Sequence, residues 1–215
     1  MKLRKIFFTA VLFFSSICLS AQNSRQEISS HNISSLESAL SLLAKNKIQR
    51  GDFSLKKYSF KTERTINSSG TFVISSENGI IWFTQKPIVS VQAMTKNTAI
   101  TKNSRGKISK IDGSENPVFL ETASLTAAIF NGDISTIKEK CECEFSNEKN
   151  NWTLSLKPKD KSISAVLEKI IVLACDKKIT SIKMLHTTGD FSEYELRNHK
   201  FADTLNDDET ALFTY

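Results

Sequence analysis

The chain has 215 residues and a formal net charge of +6, and this length suits one domain with a sizeable core. Half of the charge lies in the first 21 residues, which contain Lys2, Arg4 and Lys5 and no acidic residue, so the remainder carries only +3. The other lysines are scattered along the sequence, which removes the compositional argument for nucleic-acid binding.

Residues 1–21 have the pattern of a secretory signal peptide. The three basic residues precede a short apolar stretch, and the small residues Ser20 and Ala21 end a segment that is too short for a stable membrane span. Lipidation at Cys18 is the alternative, but Ile17 stands where a small residue is expected before such a cysteine. The sequence therefore predicts cleavage after Ala21 and export of residues 22–215 as one domain.

The first element expected after the signal peptide is an amphipathic helix with one apolar face. Ser34 and Glu37 fit a capping box, and the apolar residues that follow recur at helical spacing: Leu36, Ala39, Leu40 and Leu43. After Gly51 the apolar period changes to two, as in a strand. A slip in this alternation near Lys56 and Lys57 predicts a β-bulge or a bend.

Residues 71–77 and 79–85 read as a hairpin around Asn78 and Gly79, which tolerate the positive φ of a tight turn. Both strands are apolar on both faces, because neighbours such as Trp82 and Phe83 point in opposite directions. In an antiparallel sheet with one solvent-exposed face, apolar and polar residues would alternate along each strand. We therefore expect the second face to meet helices and an apolar cavity.

The rest of the chain reads as short strands interrupted by helices. A helix is expected over 121–130, with Leu125, Ala128 and Ile129 on one face, and Asp133 caps a short helix that runs to about Lys138. The tail reads as irregular, with Ala211, Leu212 and Phe213 as packing residues. The further strands are expected near 88–95, 98–103, 107–111, 140–146, 151–157, 166–174, 179–186 and 191–197.

The remaining cysteines and histidines give no catalytic pattern. Cys141, Cys143 and Cys175 leave two interpretations open, small buried hydrophobes or one disulfide to Cys175. Structural zinc takes four ligands, and no histidine lies near these cysteines, so we expect no metal site. His31, His186 and His199 lie in polar or turn regions as solvated side chains, and no hydrolase, nucleotide-binding or metalloprotease motif is present. We expect no enzyme and no cofactor.

About eleven strands joined mostly by short turns predict antiparallel neighbours in meander order. The fold class is therefore mainly β (α+β), with one large curled antiparallel sheet that forms an unclosed β-barrel. Helices would cover its concave apolar face.

Five segments, in this order, carry a resemblance to a known family: GDFSLKKYSF, SGTFVISSENGIIWFTQKP, IFNGDISTI, WTLSLKPKDKSI and TTGDFSEYELRN. The chain resembles the periplasmic outer-membrane lipoprotein carrier family, as a divergent branch. The resemblance implies a periplasmic chaperone whose cavity binds the acyl chains of lipoproteins, or of a related lipid, and moves them toward the outer membrane. It also implies an inner-membrane donor complex and an outer-membrane acceptor. An Arg-Pro turn that helps to hold the family's helical lid closed has no counterpart in the turn Ser75–Gly79.

These expectations assign candidate residues. The cavity-lining candidates are Phe60, Phe72, Ile74, Trp82, Phe83, Val91 and Leu154, and the lid candidates are Leu36, Leu40, Leu125 and Ile129. We expect a monomer whose partner is an acylated lipoprotein or lipid and whose membrane contact is transient. The alternative is a lipid-sensing or protein-docking module of the same fold.

Overall fold

The computed structural model describes residues 35–112 and 117–214. The predictions for the signal peptide, Cys18, His31 and Ser34 lie outside the described residues. Five helices are described: α1 Leu36–Ala44, α2 Pro117–Asn131, α3 Ile134–Lys140, α4 Lys161–Ser164 and α5 Asp207–Phe213. The strands are β1 Ile48–Ser59, β2 Arg64–Ser75, β3 Gly79–Lys86, β4 Ser90–Met94, β5 Thr98–Asn103, β6 Ile108–Asp112, β7 Cys141–Glu148, β8 Asn151–Pro158, β9 Leu167–Cys175, β10 Lys178–His186 and β11 Phe191–Ala202.

All eleven strands belong to one sheet of order β6-β5-β4-β3-β2-β1-β11-β10-β9-β8-β7. Two meanders, β1 to β6 and β7 to β11, join where β1 pairs with β11, and every neighbouring pair is antiparallel. Among the described strands, β6 and β7 pair with one neighbour each, so the sheet does not close into a barrel. The predicted fold class is confirmed.

The sheet is strongly curled. Strands β4 and β9 are six positions apart, which corresponds to roughly 29 Å in a flat sheet at about 4.8 Å per strand. Met94 of β4 and Ile170 of β9 nevertheless line a single cavity of 190 Å³. The two halves of the sheet therefore face each other across its concave side.

Helices α1, α2 and α3 fill this concave side. Ser35 is the N-cap residue of α1: its side chain accepts a hydrogen bond from the backbone N–H of Ser38, and these two residues form a capping box. Gly132 adopts a φ of +66° after α2, where a Cβ atom would lie 2.5 Å from the carbonyl oxygen of Leu40. This glycine allows α1 to approach the end of α2 closely. The apolar faces of the three helices then share one core with the sheet.

The convex side carries a second core, which explains why the β2–β3 hairpin is apolar on both faces. Its buried members are Ile48, Val73, Ile81, Ala93 and Ile100. Leu212 and Phe213 pack against this core, and they belong to helix α5, where the sequence predicted an irregular tail. The expectation that the second face meets helices and a cavity is therefore corrected: one face meets the helices and cavity, and the other is covered by the C-terminal segment.

The irregularity in β1 lies at a different place from the predicted one. Residues Lys56 and Lys57 pair regularly with both neighbouring strands, while the register against β11 shifts between Arg50 and Asp52. At Gly51 between them, a Cβ atom would lie 2.4 Å from the carbonyl oxygen of Arg197. The close backbone approach thus requires the glycine, and the apolar residues change from one face of β1 to the other at the lysines without a break in pairing.

Candidate functional site

The candidate site is a cavity of 190 Å³ between the concave face of the sheet and α2. Its walls are formed by strands from opposite ends of the curl, and α2 forms the roof. One wall consists of Ile80, Trp82, Gln92 and Met94, the other of Ile170, Ile182, Met184 and Tyr194, and the roof of Thr122, Thr126 and Ile129.

Stacked aromatic rings form the floor between the two walls. The rings of Trp82 and Tyr194 lie 4.6 Å apart at 29°, although strands β2 and β1 separate them in the sheet. Phe53 meets Trp82 edge-on at 5.0 Å. Such contacts contribute beyond the area that they bury, so this floor is a rigid part of the site.

The cavity has polar atoms but, among the described residues that line it, no charged side chain. The Thr126 hydroxyl donates to the carbonyl oxygen of Thr122 at 2.7 Å, so its hydrogen is used within α2. Burial raises the pKa of Tyr194 to about 12, so its phenol is neutral at physiological pH. A cavity of branched, aromatic and thioether side chains favours hydrocarbon over an ionic ligand.

Of the residues predicted from the sequence, Trp82 and Ile129 line this cavity. Six others are buried in the surrounding core: Phe72, Ile74, Leu154, Leu36, Leu40 and Leu125. Their contact with a ligand stays a prediction, since it would require α1 or α2 to shift.

Three predicted lining residues lie elsewhere. Phe60 is 63% exposed, because it follows the last residue of β1 and sits in the turn to β2. Phe83 and Val91 are paired neighbours that pack on the convex core. Trp82 points to the concave side, so the next residue along the strand must point to the other face. Phe83 therefore points to the convex side and not into the cavity.

Sequence reasoning missed most of the two cavity walls. The register pairs Trp82 with Gln92 and Ile80 with Met94, so both β4 residues follow from Trp82 once the hairpin register is known. On the opposite wall, Ile170, Met184 and Tyr194 meet the cavity only because the sheet curls. No local signal in the sequence identifies that wall.

The three cysteines of the described residues are free thiols, so the disulfide interpretation is wrong. Burial raises the pKa of the Cys141 thiol to about 12 and raises that of Cys143, which makes both poor nucleophiles. His199 packs edge-on against Phe72 at 5.5 Å, and burial lowers its pKa. It is a partly buried neutral side chain and not the solvated one expected from the sequence.

Within residues 35–112 and 117–214, no helix has the length and apolar character needed to cross a membrane. No protein-family model and no curated protein matches the chain.

Solved structures do resemble it. One is an outer membrane lipoprotein-sorting protein domain from Vibrio parahaemolyticus, at 10% identity over 83% of this chain and 100% of that one, with a TM-score of 0.44. A DUF1329 family protein from Desulfovibrio piger matches at 11% identity over 82% and 96% of the two chains, with a TM-score of 0.47. A LolA superfamily protein from Nitrosomonas europaea matches at 12% identity over 79% and 96%, with a TM-score of 0.44.

Proposed function

We propose that the exported chain is a carrier that binds acyl chains in the cavity beneath α2. The observation that supports this most directly is an uncharged cavity enclosed by two walls of one curled sheet and roofed by a helix. Such a site offers apolar surface without directional bonds, which suits a flexible hydrocarbon chain. The role is binding and transfer, not catalysis.

The volume of the cavity implies that α2 moves when cargo enters. Ordinary ligand pockets measure about 300–1,000 Å³, while this one measures 190 Å³. Each buried methylene of an acyl chain contributes about 0.8 kcal/mol, so several of them can offset the cost of lifting the roof. In this proposal the small cavity corresponds to the closed position of α2.

An ion pair ties the roof to the neighbouring helix α3. Lys140 Nζ of α3 donates to Glu121 Oε2 of α2 at 2.6 Å, and the two side chains are 28% and 20% exposed. The turn Ser75–Gly79 contains no arginine, so the lid contact implied by the family resemblance is missing there. The Glu121–Lys140 pair takes its place in the proposed mechanism.

The finer assignment rests on the order of the sequence motifs. In this proposal the cargo is a lipoprotein or a related acylated lipid, the compartment is the periplasm, and transfer runs from an inner-membrane donor to an outer-membrane acceptor. A carrier must also release its cargo, and a roof held by apolar packing and a partly exposed ion pair provides a low barrier to opening.

The experiment is native mass spectrometry of the exported protein, purified from its host envelope without detergent. A bound mass that extracts into organic solvent and contains fatty acyl chains supports carriage and identifies the cargo class. A ligand-free protein that also fails to bind a fluorescent fatty acid overturns the proposal. A stable complex with another envelope protein in that case would indicate the docking module instead.

A further inference from the structure

Exposed apolar side chains concentrate at one end of the sheet. The five large hydrophobic residues with the greatest exposure in the described part of the chain are Ile88 at 68%, Phe60 at 63%, Ile66 at 59%, Val89 at 57% and Val166 at 45%. Exposed single hydrophobics are ordinary, but a cluster of them marks an interaction surface.

The topology brings these five residues together. Because neighbouring strands are antiparallel, β1 and β3 end where β2, β4 and β9 begin. Phe60 and Ile66 belong to the β1–β2 hairpin, Ile88 and Val89 to the β3–β4 turn, and Val166 precedes β9. We call this end of the sheet the loop end.

Three of these exposed residues, Phe60, Ile66 and Val166, lie around one groove. The backbone N–H of Phe60 donates to Asp190 Oδ1 at 2.7 Å, and that of Thr187 donates to the carbonyl oxygen of Val166 at 3.1 Å. Ile66 and Val166 line a groove of 570 Å³. The groove lies at the loop end, away from the cavity beneath α2, and shares no lining residue with it.

The charge of the loop end is strongly positive. Segments 57–66, 86–89, 103–108, 159–166 and 186–191 contain eight basic and three acidic residues, a net charge of +5, whereas residues 22–215 together carry +3. One of the three carboxylates, Asp190, already accepts the Phe60 amide. The exposed basic side chains of the loop end include Lys57, Lys61, Arg64, Lys86, Arg105 and Lys107.

We propose that the loop end docks on an anionic phospholipid surface. Apolar side chains flanked by lysine and arginine match the boundary between acyl chains and acidic headgroups, where the apolar groups enter the interface and the cations remain at headgroup level. Each basic residue near such a surface contributes about 1 kcal/mol. The orientation presents the groove to the membrane and leaves helix α5, at the convex side, free of it.

The test is flotation of the exported protein with vesicles of phosphatidylcholine, alone and mixed with phosphatidylglycerol. We expect binding to the mixed vesicles that weakens with added salt, and little binding to neutral ones. The double variant Lys61→Gln/Arg64→Gln should lose roughly 25-fold in partitioning, about fivefold per charge. Lys45→Gln/Lys47→Gln, at the opposite end of β1, is the matched control and should bind as the wild type does.

A second pair tests the apolar contribution. Phe60→Ser/Ile66→Thr removes two exposed side chains, so folding is little affected, and binding should fall at least about tenfold. Phe201→Ser, at the other end of β11, is the control. Equal binding to neutral and anionic vesicles, equal loss in variants and controls, or no vesicle binding overturns the proposal. Since fatty-acid binding is measured separately, failure here is distinguishable from failure of the carrier function.

Discussion

The indole ring of Trp82 stacks on the phenol ring of Tyr194 at 4.6 Å, although two strands lie between them in the sheet. This contact joins the two meanders across the concave side. It also forms the floor of the cavity, so the same pair supports both the curl and the candidate site.

Replacement of the indole should therefore destabilise the fold. Trp82 is 7% exposed, and Trp82→Ala is expected to lower the free energy of unfolding by about 3–5 kcal/mol through lost packing and a larger void. Urea unfolding measures this. Tyr194→Phe keeps the stacked ring and should lower the free energy of unfolding much less. An equally large loss of stability in that control would show that ring stacking is not the cause of the destabilisation.

The Glu121–Lys140 ion pair should control how fast cargo exchanges. Glu121→Gln removes the charge that ties α2 to α3, and a partly exposed pair contributes about 1 kcal/mol at most, so release of a fluorescent fatty acid should accelerate up to about fivefold. Stopped-flow displacement with excess unlabelled fatty acid measures the rate. Glu193→Gln breaks the Lys183–Glu193 pair of the sheet and is the control. Identical release from both variants would remove the pair from the lid mechanism.

Glu209 should help to hold the C-terminal helix α5 to the convex side, together with the packing of Leu212 and Phe213. The Arg50 guanidinium donates two hydrogen bonds to this carboxylate, one of them at 2.7 Å, and the Glu209 side chain is only 6% exposed. Arg50→Met removes the charged partner of this buried carboxylate, which keeps the backbone N–H of Asn206 as a donor, and should cost about 2 kcal/mol in unfolding free energy. Thermal or urea unfolding measures the loss.

This contribution should depend on pH in a defined direction. Hydrogen bonding to Arg50 lowers the pKa of Glu209 below its ordinary value of 4.5. The stabilisation is therefore complete above 4.5 and is lost as the pH falls through the lower, folded-state value. The difference between wild type and Arg50→Met should be largest at neutral pH and shrink in acid; a constant difference would contradict the assignment.

Much of the fold could be predicted because local signals agree with it. The β2–β3 hairpin turns where the sequence predicts it, although only Gly79 adopts a positive φ, of +129°, and Asn78 instead donates to the Ser75 hydroxyl oxygen. Asp133 caps α3 as expected, and helix α2 includes the whole of the predicted span 121–130. Each of these depends on residues within one turn or one helical repeat, which is the range over which sequence patterns are informative.

The site was less predictable because it depends on long-range geometry. The alternation of side chains assigns the residues of β3 to two faces but does not show which face is concave. Because both faces are apolar, the sequence could not decide whether Trp82 or Phe83 points into the cavity. The wall formed by Ile170, Met184 and Tyr194 depends on the curl of the sheet. Helix α5 was missed because its apolar residues, Leu212 and Phe213, are too few to show a helical period.

The most direct test of the proposed function is the affinity of the chain from residue 22 to residue 215 for a fluorescent fatty acid after the cavity is filled. Met184→Trp places a large ring in the cavity, and if it displaces two methylenes of the probe, at about 0.8 kcal/mol each, affinity should fall about tenfold. Leu173→Trp adds the same residue at a position of β9 that is 41% exposed and outside the cavity, and circular dichroism verifies that both variants are folded. We predict reduced fatty-acid affinity for Met184→Trp and wild-type affinity for Leu173→Trp. Undiminished affinity in a folded Met184→Trp variant would contradict the proposed function.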